Sequence, residues 1–541
     1  MKLNITLLSL AVAALSLTAC DQFLDVMPDN RTEIDSQKKV RSLITAAYPE
    51  TDYLLLSEFM SDNVDDYGPN NPNTDRFIDQ VYHWEEITES DNEDPEMLWG
   101  NTYIAIAAAN QAIQSIKDMG GAEKTGLTAE MAEALLCRAY NHFVLVNMFA
   151  KAYNSKTAAA DLGVTYMQAP ETELNPKYER NTVAEVYELI DKDLQEALPW
   201  VSDTYYSVPK YHFNQKAAYA FAARFYLFYE KWDKAIEYAN MALGSQPSTM
   251  LRDWKYIGSM VQDEDVVMNH FIDASLNANL MLVTAYSALG LCFGPYSYYG
   301  KYAHGSYLAN NEDGIALASL FGKTNAAFYY SRMYVYSATN LDKTIFWKIP
   351  YLFEYTDPVA RIGYYRAVYP AFTGDQLLPE RAEAKILTKD YEGAAQDMNI
   401  WLSNISKDDY NLTADQIDKL MTDNVKDYST WSNSTVKKQL NPGFDIEKGG
   451  KQENLLHFVL LLKRVDGLQQ GLRWFDVKRY GIEICRRIIG PDGVPASKVD
   501  ELSVNDARRA LQIPKKVIDA GYTPNPRNES SPETQKLEPV L

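Results

Sequence analysis

The chain has 541 residues, of which 46% are apolar, 23% charged and 12% aromatic. This is ordinary globular composition, and it excludes a disordered, collagen-like or disulfide-scaffold protein. The 52 Lys and Arg against 73 Asp and Glu leave a net charge of −21, a poor match for phosphate backbones, so nucleic-acid binding is argued against.

The first element is an address. Lys2 precedes an apolar run from Leu3 to Leu17, and Leu17-Thr18-Ala19 leads directly into Cys20. A cationic start, a short apolar stretch and small residues make a secretory signal over 1–19, too short to stay as a membrane-spanning helix. Leu-Thr-Ala before Cys resembles the lipobox of bacterial lipoproteins, which implies lipidation of Cys20 and anchoring to a membrane through acyl chains. The alternative is a plain signal that happens to precede a cysteine. Cys137, Cys292 and Cys485 remain, an odd number at unrelated spacings, so neither a disulfide framework nor a zinc site is expected. Cys137 reads as a small buried hydrophobe.

Two acidic clusters follow, Asp62/Asp65/Asp66 and Asp91/Glu93/Asp94/Glu96. Neither has the spacing that curls a loop around calcium, and both read as solvated loop charge. No cofactor is expected. Residues 135–149 put Leu135, Leu136, Ala139, Tyr140, Phe143 and Val144 on one helical stripe. Thr182-Val183-Ala184-Glu185 is a capping box opening a second amphipathic helix, which Pro199 stops. These two helices read as a pair separated by a long loop.

Two later segments resemble each other. Ala223 precedes Trp232-Asp233-Lys234-Ala235 by the same interval at which Ala382 precedes Tyr391-Glu392-Gly393-Ala394. Small residues that let paired helices approach, with an aromatic at the turn, are the mark of a tetratricopeptide-type helix pair. The second copy departs at Trp401, where a small residue is usual. Between the copies the helical period fades over about 246–374. Of the 38 tyrosines, 15 fall between Tyr286 and Tyr369, where even spreading would put about six. Tyr334 and Tyr336 alternate as in a strand. A polar stretch over about 403–454 reads as a solvated insertion.

Several stretches together resemble the SusD/RagB family of outer-membrane nutrient-binding lipoproteins. Cys20 to Asp25 is similar to that family's mature start, and Trp99 to Asn110 to its early helix. Arg138-Ala139-Tyr140 through Phe149 resembles its first paired helix, and Val186 to Leu198 the partner. Gly471-Leu472-Arg473-Trp474-Phe475-Asp476-Val477-Lys478-Arg479 is close to its Gly-x-Arg-Trp-Phe-Asp-Leu-Lys-Arg. Ile513-Pro514 and Asn525-Pro526 resemble its tail. One departure is the helix before Gly471: the family's two Arg and two Glu are met here by Leu462, Lys463, Arg464, Asp466 and Gln470. That predicts a thinned charge network, with Arg473, Asp476 and Arg479 left to pair at i, i+3.

The resemblance implies a mainly α fold: dispersed tetratricopeptide-type pairs (about 35–245 and 375–403) packed on a loop-rich, Tyr-rich irregular half (246–374). The insertion at 403–454 and a C-terminal helix and tail (455–541) complete one unit over 20–541. It implies capture of an oligosaccharide at the exterior of a cell outer membrane, and a SusC-like TonB-dependent transporter as partner. Aromatic rings suit the apolar faces of sugars, with one polar handle each. Tyr296, Tyr298, Tyr299 and Tyr302, in a Gly/Pro-punctuated stretch, are the candidate contacts. Asp66, Arg76 and Trp84 are candidates by position in the family's N-terminal ligand region. No HExxH, GxSxG or phosphate-loop motif occurs, so no enzyme is expected. A peptide binder of the same architecture is the alternative. A surface glycosidase, which needs only two carboxylates, is the enzyme rival.

Overall fold

The computed structural model describes residues 34–527 except 174–175, 262, 330–333 and 339–340. The signal, the lipobox and Cys20 therefore lie outside the described residues.

The N-terminal side is helical: α1 (Gln37–Thr45), α2 (Leu54–Met60), α3 (Arg76–Tyr82), α4 (Pro95–Asp118), α5 (Thr128–Phe149), α6 (Val183–Ala197), α7 (Gln215–Phe228) and α8 (Trp232–Leu243). Local chemistry sets the boundaries. Asp94 caps α4 by accepting from Met97 N, with Pro95 at the first helical position. The Thr182/Glu185 capping box opens α6, and the chain tightens into a 3-10 turn over Leu198–Trp200. Helix α5 packs against both α4 and α6, and α7 against α8. Ala217, Ala218, Ala222, Ala235, Ala239 and Ala242 are all buried, so the α7 and α8 backbones can approach closely.

The second copy forms α9 (Gly374–Leu387) and α10 (Tyr391–Ile405), with Trp401 buried. Buried arginines clamp both pairs. Arg138 of α5 grips Asp193 of α6 with Nε and Nη2 at 2.7 Å each. Arg381 of α9 grips Asp397 of α10 at 2.9 and 2.6 Å. Arg224 of α7 instead reaches Glu380 at 2.7 Å, tying one pair to the next.

The Tyr-rich segment is more regular than the loop-rich reading. It carries β2 (Asn279–Tyr286), β3 (Tyr302–Ala303), β4 (Tyr334–Ala338), β5 (Leu341–Ile345), β6 (Leu352–Asp357) and β7 (Ile362–Thr373). Strands β2, β7 and β6 make an antiparallel sheet in the order β2-β7-β6, and β4 pairs with β5. Period-two alternation fails on β7 for a physical reason. From Ala367 onward it is covered on both faces, while Ile362 to Arg366 is open on both.

Helices α11 (Ala414–Asn424), α12 (Lys451–Gly467) and α13 (Arg473–Arg479) follow, then β8 (Ile484–Ile489) and β9 (Pro495–Leu502). Strand β8 runs parallel to the two-residue strand β1 (Asp65–Asp66), which also pairs with β3. Cys137 and Cys292 are buried free thiols, and Cys485 is half-buried. Among the described residues no helix is long and apolar enough to cross a membrane.

The first acidic cluster is not solvated. Asp62, Asp65 and Asp66 are buried, as are Glu93 and Asp94 of the second. Asp62 accepts from Arg473 Nε and Nη2 at 2.7 and 2.9 Å. Asp65 accepts from Arg487 at 2.8 and 3.1 Å, and Glu312 binds Lys438, Arg464 and Arg487 at 2.6, 2.7 and 3.1 Å. Burial alone would raise the Asp62 carboxyl, but Arg464 and Arg473 outweigh it and hold it well below the usual range.

Nor is the charge network thinned. Lys463 bridges Glu383 and Asp476 at 2.6 and 2.5 Å, and Arg479 reaches Glu383 at 2.8 Å as well as Asp476 at 3.4 Å. Glu383 comes from α9 and Asp62 from the 58–65 segment, while Arg479–Asp476 is the expected i, i+3 pair within α13.

Lys478 lies in the same core and donates to the carbonyls of Asn147 and Ala150. Burial, with Arg509 nearby, pushes its ammonium down to about 7. Between that value and the unfolded one near 10.5 the unfolded chain binds more protons, so stability from this group rises with pH. Thermal melts of Lys478→Met against the parent are expected to show the parent gaining on the variant from pH 7 to pH 10; a constant gap rejects the assignment.

Candidate functional site

Register builds the site. In the β6–β7 hairpin Phe353 faces Tyr365 and Tyr355 faces Gly363, so these side chains share one face, and Tyr351 continues it one step before β6. Gly363 is required there: a Cβ would collide with the Glu354 carbonyl oxygen across the ladder, as well as standing 2.8 Å from Phe353 Cε1.

The opposing wall is the loop after the short helix Leu289–Cys292. Its Gly294-Pro295 step turns the chain so that Tyr296 meets Tyr351, centroids 5.8 Å apart, and Tyr298 meets Tyr365 at 6.2 Å. The remaining steps are Tyr351–Tyr365 at 5.8 Å, Tyr365–Phe353 at 5.5 Å and Phe353–Tyr355 at 4.9 Å. Five rings, Tyr296, Tyr351, Tyr365, Phe353 and Tyr355, thus form an unbroken strip on the surface. Tyr351 is 39% and Tyr355 54% exposed, while Tyr296, Tyr298, Phe353 and Tyr365 are half-buried.

Polar groups fix the wall. Tyr296 Oη donates to Glu264 Oε1 at 3.0 Å, and Tyr298 Oη to Tyr299 Oη at 3.2 Å, which donates on to Asp75 Oδ2 at 2.8 Å. Beneath the loop the buried Lys343 ammonium donates to the carbonyls of Cys292 and Tyr296 at 2.5 and 2.8 Å. Burial pushes the Tyr296 phenol up to about 12, with Glu264 adding to it, and Tyr298 likewise to about 12. Both therefore stay neutral hydrogen-bonding groups.

Of the residues singled out in the sequence, Tyr296 and Tyr298 stand at this strip. Tyr299 and Tyr302 are turned into the core behind it: Tyr299 packs edge-on to Phe59, and Tyr302 stacks on Tyr82 at 4.1 Å and bonds Asp79. Trp84 is 5% exposed, with Nε1 on the Met60 carbonyl and Arg486 4.1 Å from its ring. Asp66 is buried and accepts from Gly68 N, and Arg76 is exposed and paired to Glu89. These three do not meet the strip. Sequence reasoning missed Tyr351, Phe353, Tyr355 and Tyr365, although the alternation of Tyr351, Phe353 and Tyr355 is itself a strand-face signal.

A cavity of about 340 Å³ lies apart, bordered by Trp84, Ile87, Glu96, Leu511, Pro514 and Lys516. There Lys516 is paired to Glu96 and Arg508 to Asp500 and Asp506, and the Trp84 ring is covered by Arg486. The strip is the better candidate.

Helix pairs clamped by buried arginines thus carry an aromatic strip on an inserted sheet. Residues 22–227 match the SusD-like_3 family model, described as "Starch-binding associating with outer membrane". Over 164 residues, 30% of each chain, the protein is 31% identical to SusD-like protein P2 of Formosa agariphila; the match spans less than a third of that relative. A SusD superfamily protein of Bacteroides thetaiotaomicron superposes with a TM-score of 0.63 at 18% identity, covering 92% of this chain and all of that one. A SusD-like carbohydrate binding protein of Bacteroides vulgatus superposes with a TM-score of 0.56 at 15% identity, covering 89% and 96%. Residues 22–227 are thus similar to the SusD-like family, and the fold over about nine-tenths of the chain is that of these solved structures.

Proposed function

We propose that this protein is a non-catalytic, lipid-anchored receptor of the outer membrane that captures an oligosaccharide on the five-ring strip. It then delivers the chain to a TonB-dependent transporter of the SusC type. The observation that carries this is the strip itself. Successive rings 4.9 to 5.8 Å apart, open on one side, match a chain of repeating apolar sugar faces. The family description and the relatives above support a carbohydrate rather than another nutrient. Shallow contacts suit delivery, since a ligand held too tightly would not pass on.

Calorimetry and affinity gels of the detergent-solubilised mature protein against polysaccharide, host-glycan and peptide panels test capture. Retention of a polysaccharide without its hydrolysis is the expected result; binding of peptides alone supports the rival, and hydrolysis overturns the non-catalytic reading. Anchoring is tested separately. Cys20→Ala is expected to move the protein from the membrane pellet to the soluble fraction, and an unchanged pellet rejects the lipid. Recovery of a large barrel with the gently solubilised protein supports the transporter pairing, and clean monomer counts against it.

A further inference from the structure

We infer that the strip selects neutral oligosaccharides and turns away chains carrying carboxylate or sulfate groups. The inference rests on the glycan-capture reading above and names the ligand's charge class.

The groups bordering the strip set its charge. Glu264 and Asp265 act on Tyr296, Asp91 on Tyr298 and Asp75 on Tyr299, and all four are acids. Of the cations close by, Lys343 and Arg366 are committed elsewhere, and Arg361 stands exposed in the turn beyond the Tyr355 end of the strip. Lys343 is buried behind the loop with its ammonium on two backbone carbonyls. Arg366 lies on the reverse face of the sheet, paired with Glu354 and 4.1 Å from the Tyr286 ring. An anionic sugar over Tyr296, Tyr351 and Tyr365 would therefore meet carboxylates at its edge and the negative faces of the rings beneath it, with neither the Lys343 ammonium nor the Arg366 guanidinium open to receive it.

Glu264 deepens this bias. Its Oε1 takes the Tyr296 hydroxyl, while Oε2 is covered and has no hydrogen-bond partner among the described residues. A carboxylate or sulfate brought beside Tyr296 is repelled by this charge, whereas a neutral polyol is not.

The test uses the detergent-solubilised mature protein in affinity gels, with calorimetry on what is retained. The neutral probes are laminarin, galactomannan, arabinoxylan and pullulan; the anionic probes are alginate, polygalacturonate, carrageenan and chondroitin sulfate. Retention in one or more neutral gels, anionic chains weaker by about tenfold or more, and a Kd for the neutral ligand that does not move with salt are the expected results. The double change Glu264→Gln, Asp265→Asn is expected to narrow the neutral-to-anionic preference by about tenfold, with circular dichroism confirming the fold. An anionic chain bound as tightly as any neutral one, with affinity falling as salt rises, overturns this inference and leaves capture standing. Retention in no gel of either set removes the capture reading and the selectivity with it.

Discussion

Asp62→Ala is expected to lower the stability of the fold by about 3–5 kcal/mol, read as a shifted midpoint in urea at unchanged slope. The carboxylate accepts from Arg473 Nε and Nη2 at 2.7 and 2.9 Å, and it stands 3.6 Å from Arg464. Removing it leaves a buried guanidinium without its partner, which costs far more than the net value of the pair. Asp62→Asn keeps an oxygen for one hydrogen bond and is expected to fall between. An exposed pair gives the contrast: Lys515→Ala, which breaks the contact to Asp519 on the surface, is expected to stay within about 0.5 kcal/mol. The sign with pH follows from the depressed carboxyl. Its contribution is complete above the unfolded pKa near 3.8 and is lost as the pH falls through the lower folded value. The parent should therefore destabilise on acidification more steeply than Asp62→Ala. A loss below about 1 kcal/mol at neutral pH would mean that the network is idle.

This network also marks where sequence reading stops. Local signals were legible because their partners are near: the Thr182/Glu185 box lies within one turn, and the Trp232 and Tyr391 elements each sit at the start of a second helix. The dispersed helix pairs and the resemblance over the N-terminal part could be read from such pieces. Asp62 could not, because its arginine lies 411 residues away, and a cluster of acids without visible cations looks like solvated charge. The same holds for Lys463 and Arg479, whose shared partner Glu383 belongs to the second helix pair. The ring strip failed for another reason. Tyrosine is so frequent between 286 and 369 that density alone cannot separate core rings from surface ones. Only the hairpin register shows that Tyr351, Phe353, Tyr355 and Tyr365 share a face, and only tertiary packing turns Tyr299 and Tyr302 inward.

That register makes the second large prediction. Tyr351→Ala and Tyr365→Ala are each expected to weaken oligosaccharide binding by about tenfold, since an aromatic anchor at the centre of a contact commonly carries more than 1 kcal/mol. The two rings touch at 5.8 Å and share Tyr296 and Phe353 as neighbours, so the double change should fall short of the product of the singles. Calorimetry gives all four corners of that cycle. Trp200, 52% exposed on the helical side, is the control, and Trp200→Ala should leave affinity unchanged. Tyr299→Ala separates the two tyrosine classes. Its ring is buried against Phe59 and its hydroxyl holds Asp75, so the expected loss is in melting temperature. Any loss of affinity there should follow only from disturbing Tyr298 above it. If Tyr351→Ala and Tyr365→Ala bind as the parent does while Tyr299→Ala alone loses ligand at full stability, the contact surface lies on the inner side of the loop, and the strip is packing rather than recognition.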